Sequence, residues 1–180
     1  MGGIQLNSIP VEVFGLEKLT RLNLPECNIS LTEEAATALG ALEDLQNLNL
    51  RNNPLGRAPD IDRMKQLSHL DLSNTGLTET WPALFERISL SHVDLSDNAI
   101  SELPLELLRG DHRLSADFNF SGNPLSELAR QRLADYAQVR EARLDAPRLW
   151  RQQIAELDDD FDSSSSIASD EASESLPSLD

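Results

Sequence analysis

Two histidines recur in one local pattern, His69-x-Asp71 and His92-x-Asp94. Imidazole and carboxylate at this spacing could hold a transition metal or form a pH-sensitive contact. Two ligands without a convergent third are a weak metal signal. The competing reading is a pair of exposed polar side chains on a binding surface. The run Asp158-Asp159-Asp160 is acidic enough for a divalent cation, but it lacks the spaced ligands and turn glycine of a calcium loop. It reads as a solvated charge run. Cys27 is the single cysteine, which excludes an internal disulfide and any zinc site built on paired cysteines. It has no positive surround of the kind that activates a thiol. No Gly-rich phosphate loop and no Gly-x-Ser-x-Gly is present, and Gly2-Gly3 precedes no phosphate-loop pattern. The expectation is a non-catalytic chain with no cofactor and no metal.

The elements that must position these residues are repeats. A Leu-x-x-Leu-x-Leu-x-x-(Asn/Cys/Thr)-x-Leu pattern runs Leu19, Leu22, Leu24, Cys27, Ile29, then Leu45, Leu48, Leu50, Asn53, Leu55. It continues as Leu67, Leu70, Leu72, Thr75, Leu77, then Leu90, Val93, Leu95, Asn98, Ile100. A weaker fifth copy is Ser115, Phe118, Phe120, Asn123, Leu125. The copies start 26, 22, 23 and 25 residues apart. These spacings fall in the range of about 20–29 residues that defines leucine-rich repeats. The expected fold is therefore α/β: a leucine-rich-repeat solenoid with parallel strands on its concave face, a C-terminal helical cap and a disordered acidic tail. In each copy a short strand points alternate residues inward, and the inward leucines merge into one core. Asn at the ninth position turns inward to bond backbone groups of its own loop and its neighbour. Cys27 and Thr75 stand in that slot as weaker substitutes, so Cys27 reads as a buried structural cysteine.

The return segments vary. Residues 32–43 look helical, with Thr32 as N-cap and Glu33 and Glu34 in the first turn. Ala58-Pro59, Trp81-Pro82 and Leu103-Pro104 mark shorter, extended or single-turn returns on the convex side. Leu6-x-x-Ile9-Pro10-x-x-Val13-Phe14 copies Ile100-x-x-Leu103-Pro104-x-x-Leu107-Leu108. Residues 4–16 thus resemble the second half of a repeat, and with no polar N-terminal cap the chain reads as cut from a longer array or lacking its upstream part. Ser126 is expected to cap a helix to about Leu144, with Leu128, Leu133, Tyr136 and Val139 inward. Asp145 caps a second, with Trp150, Ile154, Leu157 and Phe161 on one stripe. Residues 163–180 hold eight serines among acidic residues and too few apolar ones to offset the entropy of ordering. The expected division is a solenoid over 1–125, C-terminal helices over 126–162 and a disordered Ser/acidic tail over 163–180.

Across the five strands the exposed positions form columns. One reads Arg21, Asn47, His69, His92, Asp117, the next Asn23, Asn49, Asp71, Asp94, Asn119, and the third Pro25, Arg51, Ser73, Ser96, Ser121. The candidate protein-binding residues on this concave face are Arg21, Asn23, Asn49, Arg51, His69, Asp71, His92, Asp94 and Asp117. Both arginines lie at the N-terminal end and most acids at the C-terminal end. A protein ligand with a basic patch would suit that acidic end. The net charge of -16 argues against nucleic acid, whose phosphates need clustered Lys and Arg. Nine of the acids lie between Glu156 and Asp180, which leaves -7 for residues 1–155. No apolar run approaches the roughly 20 residues of a membrane span, so no membrane partner is expected.

Leu70-Asp71-Leu72-Ser73-Asn74-Thr75-Gly76-Leu77-Thr78-Glu79, followed by Trp81-Pro82, resembles the repeats of large bacterial effectors, notably from pseudomonads. Val93-Asp94-Leu95-Ser96-Asp97-Asn98 and Phe120-Ser121-Gly122-Asn123-Pro124-Leu125-Ser126 are similar to them too. Those effectors carry a NEL-type ubiquitin ligase domain after the repeats. The resemblance covers about residues 4–140. It implies that the repeats recruit substrate and restrain the ligase, while a catalytic cysteine in the following domain accepts ubiquitin. It also implies a bacterial cytoplasmic protein or one secreted into host cytoplasm. No cysteine follows Cys27, and the sequence ends about where such a domain would begin, so the recognition role alone carries over. The alternative expectation is a fragment of a NEL-type ligase whose catalytic domain is missing here.

Overall fold

The computed structural model describes residues 4–86, 89–105 and 116–142. The second expected helix and the expected acidic tail lie outside the described residues. Residues Met1–Arg140 belong to one compact unit. Its backbone is five three-residue strands in sequence order, all parallel: β1 (Arg21–Asn23), β2 (Asn47–Asn49), β3 (His69–Asp71), β4 (His92–Asp94) and β5 (Asp117–Asn119). The register aligns Leu22, Leu48, Leu70, Val93 and Phe118 at the strand centres. These side chains turn inward, and their neighbours on either side turn outward, as strand alternation requires. Leu45, Leu67 and Leu90 lie below them, and Leu50, Leu72, Leu95 and Phe120 above, all buried. The helix α1 (Glu33–Gly40), the short α2 (Ala83–Glu86) and extended returns close the other side with Leu39, Leu42, Ile61, Met64, Leu84 and Phe85.

Thr32 caps α1 as its residue type suggests, with its hydroxyl accepting from the Ala35 N–H at 3.2 Å. Glu34 is held below the ordinary carboxylate range, first by hydrogen bonding to its own backbone N–H and then by the Thr32 side chain. That stabilisation is present above the unfolded-state pKa and is lost as pH falls through the folded one.

The turn after each strand is where neighbouring repeats are joined. Asn53 Oδ1 accepts from the N–H groups of Cys27 and Ile29, and its Nδ2 donates to the carbonyls of Leu24, Leu50 and Arg51. Asn98 does the same one repeat on, accepting from Thr75 and Leu77 and donating to Leu72, Leu95 and Ser96. Asn123 continues the series to Ile100, Leu95 and Phe120. Thr75 is too short to reach back; its hydroxyl bonds Leu72 O and Asn98. Cys27 is buried and its thiol meets only Pro25 O, at 3.2 Å. In the same turns Glu26, Asn52, Asn74, Asp97 and Gly122 all have φ between +51° and +72°. Four of these five are not glycine, and Asn and Asp tolerate that region best. At Gly122 the Asp97 carboxylate also fills the space a Cβ would take.

Residues 4–16 pack as the trailing half of a repeat. The N–H groups of Leu6 and Asn7 donate to Cys27 O, Ile9 is buried, and Val11–Gly15 form a 3-10 turn. At the other end the core changes character. Phe118 meets Phe85, Phe120 and Tyr136 at centroid distances of 5.5, 5.9 and 5.5 Å. Tyr136 belongs to a helix over residues 127–142, here α3, and its hydroxyl donates to Ala116 O at 2.7 Å. Ser126 caps this helix through Ala129 N–H, as expected from its type. The expected inner face is corrected, however. Ala129, Leu133 and Tyr136 face the core, while Leu128 is 51% and Val139 47% exposed. A small Ala at the contact lets α3 approach closely, and this turns the helix so that the larger Leu128 falls on its flank.

Because Asn53 satisfies five backbone groups and Cys27 almost none, the two slots should respond unequally to truncation. Asn53→Ala is expected to lose roughly 3 kcal/mol, from buried donors and acceptors left unmet. Cys27→Ala should lose about 1 kcal/mol. Urea denaturation with equal midpoints for the two variants would contradict the joining role of Asn53. Leu48→Ala, at the centre of the stack, should lose about 2–5 kcal/mol in the same assay.

Candidate functional site

The outward side chains of the five strands form the first two columns expected from the repeat register; the third lies just past the strand ends, where Ser96 is buried rather than exposed because its hydroxyl and N–H turn back to Asp94. Eight residues on β2, β3 and β4 (Asn47, Leu48, Asn49, His69, Leu70, Asp71, His92 and Asp94) enclose a hollow of about 220 Å³. Leu48 and Leu70 turn their side chains into the core, so its floor is strand backbone and its walls are the flanking polar side chains. Five of the nine sequence candidates line it: Asn49, His69, Asp71, His92 and Asp94. Arg21 and Asn23 on β1 and Arg51 after β2 are exposed beyond one end. Asp117 lies at the other end, ion-paired with Arg140 of α3 at 3.4 Å.

His69 and His92 are register partners on adjacent strands. Their rings stack with centroids 4.8 Å apart and planes 10° apart. The serine before each histidine fixes the ring. Ser68 Oγ lies 3.1 Å from Gln46 O and 2.8 Å from His69 Nδ1. Ser91 Oγ lies 2.9 Å from Ser68 O and 3.2 Å from His92 Nδ1. A hydroxyl has one hydrogen, which each serine can give either to the carbonyl or to Nδ1 according to the ring's tautomer. Parallel stacked rings carry their lone pairs side by side rather than onto a shared point. This disfavours the metal reading, and among the described residues no group of three or more His, Cys, Asp or Glu could hold an ion.

Asp71 and Asp94 follow in the next column. Asp71 Oδ1 accepts from Ser73 N–H and Oγ at 3.1 and 2.8 Å. Asp94 Oδ1 accepts from Ser96 N–H and Oγ at 2.9 and 2.6 Å, and Asn119 Nδ2 reaches both carboxylate oxygens at 3.2 Å. Asn49 and Asn119 make the same bond two residues on, to Arg51 N–H and to Ser121. The column is thus a series of identical side-chain-to-backbone turns in which either Asp or Asn serves. The aspartates are half-buried and tied to their strands, not free surface charges as the strand pattern alone suggests. None of the ion pairs among the described residues involves Asp71 or Asp94.

Sequence reasoning singled out the histidines and aspartates but not Ser68 and Ser91, which bond the ring nitrogens. The signal was a serine before both histidines. It gains meaning once the strands are parallel, since the hydroxyls bond carbonyls of the preceding strand. Cys27 is 8% exposed, among core residues and away from this face. Among the described residues no helix is long and apolar enough to cross a membrane.

Comparison with known proteins agrees with this architecture. Residues 66–88, which include β3, match the family described as Leucine Rich Repeat. A leucine-rich-repeat protein of Leptospira interrogans is similar in structure, with a TM-score of 0.64 and 27% identity over 73% of this chain. The match covers 33% of that protein, so this chain spans about a third of its length. No curated protein matches the chain. The chain therefore carries leucine-rich repeats in a parallel, single-sheet fold of that kind.

Since Asn replaces Asp elsewhere in the column, Asp94→Asn should leave the thermal midpoint nearly unchanged. Asp94→Ala removes the acceptor for Ser96 and should cost about 1–2 kcal/mol. Thermal melts of the two variants check this; equal losses would mean the bond to Ser96 contributes nothing.

Proposed function

We propose that this chain is a non-catalytic protein-recognition module whose strand face receives a protein ligand with a basic patch. The observation that carries the reading is the hollow over β2–β4. There, adjacent carboxylates and imidazoles stand over the strand backbone with no ion pair to Asp71 or Asp94 among the described residues. Leucine-rich repeats suit this role because each adds one strand, and so one row of contact residues, to a continuous surface. Arg21, Asn23 and Arg51 extend the surface at the N-terminal end, and Asp117 at the other. Residues 1–125 form the recognition solenoid in this reading, 126–162 its C-terminal cap and 163–180 a solvated tail. We further propose that the module is the substrate-recognition part of a bacterial effector. It would act in the bacterial cytoplasm or, after secretion, in host cytoplasm. The support is the similarity of the Leu-Asp-Leu-Ser segments to the repeats of NEL-type ligases.

Capture of a binding protein by the immobilised chain, compared between face variants, tests the recognition role. His92→Ala combined with Asp94→Asn should reduce capture at least about tenfold without lowering the thermal midpoint. Arg57→Glu, on the opposite side of the repeat, should leave capture intact. Raising salt from 0.1 M to 1 M shortens the screening length from about 10 Å to about 3 Å and should weaken it. Capture lost with Arg57→Glu alone would move the contact off the strand face.

A further inference from the structure

Within the hollow, β3 and β4 each contribute a carboxylate. Asp71 uses Oδ1 for Ser73, and Oδ2 has no protein hydrogen-bond donor among the described residues, while Asp94 uses Oδ1 for Ser96 and meets Asn119 Nδ2 with both oxygens. Asp94 stands one strand away in register, a separation of about 4.8 Å between adjacent strands. The stacked rings of His69 and His92, each held at Nδ1 by its serine, stand beside them in the neighbouring column. Two adjacent carboxylates beside these rings favour a ligand that is cationic and has several donors. The only cations close in the columns are Arg21 and Arg51, whose side chains form none of the ion pairs among the described residues.

We propose that the His69–His92 and Asp71–Asp94 square is a receptor for one arginine side chain of the partner protein. This rests on the recognition role of the strand face and names its central contact. A guanidinium has five N–H donors in a fixed plane and no acceptor, and it is less strongly hydrated than an ammonium. One edge of it can span the two carboxylates while another faces the imidazole rings. A lysine offers a compact charge with three donors and no flat face to lie along the stacked rings. The charge is complementary, and the site is pre-organised, since each aspartate is already tied to its strand by Ser73 or Ser96 and ordering it costs little on binding.

The chain has three histidines, His69, His92 and His112. Proton NMR of the ring signals of His69 and His92 on the full chain reads the site directly. The probe is a short glycine–serine peptide with one central arginine, beside matched peptides with lysine, citrulline or glutamate. The arginine peptide should shift His69 and His92 saturably. Citrulline keeps the shape and loses the charge, and it should produce no shift. Lysine should bind at least about threefold more weakly. Asp71→Asn with Asp94→Asn should weaken arginine binding about tenfold or more. The fold should survive, because Asn already makes the same turn at positions 49 and 119. Equal shifts from arginine and citrulline, or from arginine and lysine, overturn the proposal, and so does an absence of shifts at His69 and His92. The citrulline arm uses the unaltered chain and does not depend on any variant folding. Shifts from the glutamate peptide instead would overturn the arginine receptor but leave the face a recognition surface. Capture that ignores the face while the arginine shifts persist would separate failure of the wider reading from failure of this one.

Discussion

The carboxamides of Asn53 and Asn98, both buried, and of half-buried Asn123 are the interaction on which the structure depends. Strands of three residues provide few ladder hydrogen bonds, and the chain leaves each strand through a turn whose N–H and C=O groups point into the interior. Those groups cannot be left unpaired in an apolar core. A carboxamide has both an acceptor and two donors, so one side chain can close its own turn and the preceding one together. Asn53 ties Cys27 and Ile29 to Leu50, and Asn98 ties Thr75 and Leu77 to Leu95. This sets the strands in register, and the register stacks Leu22, Leu48, Leu70, Val93 and Phe118 into one core.

The same register builds the outer face. Because the central residues align, so do the residues on either side of them, and like side chains meet across strands. His69 falls against His92 and Asp71 against Asp94. Placing like groups side by side is costly for a free-standing sheet. Here the cost is offset by local ties: serines hold the rings, and hydroxyls and N–H groups two residues on hold the carboxylates. The result is an acidic hollow over the strand backbone whose side chains are held by local hydrogen bonds, an arrangement suited to binding.

The ends of the stack are handled differently. At the N-terminal end Leu6 and Asn7 pair with the Cys27 turn, and Ile4, Val11 and Leu16 stay exposed. At the other end Phe118 and Phe120 replace aliphatic positions, and their rings form a surface on which Tyr136 packs edge-on. The hydroxyl of Tyr136 satisfies Ala116 O, a carbonyl next to the last strand that no sixth strand covers among the described residues. Arg140 reaches back from α3 to neutralise Asp117, while Asp71 and Asp94 at the centre of the face have hydrogen-bond donors but no ion pair among the described residues.

Much of this was legible from residue spacing. A period of 22 to 26 residues with leucines at fixed offsets dictates parallel strands, their order, their inward residues and the columns they expose. Thr32 and Ser126 announced helix starts, because capping depends on the few residues around the cap. Contacts between repeats were not legible in the same way. The stacking of His69 on His92, the bonds of Ser68 and Ser91 to carbonyls of the preceding repeat, and the tether of Asp94 to Asn119 each join residues more than 20 positions apart. The inner face of α3 was misjudged for a related reason. Periodicity finds apolar stripes but does not choose between neighbouring ones, and the choice fell to Ala129 because close approach to the Phe118 cluster favours a small side chain. Local sequence therefore determined which elements form and in what order. The hydrogen-bonding state and charge balance of the face were decided by the tertiary structure, because they depend on distances between strands that no single repeat contains.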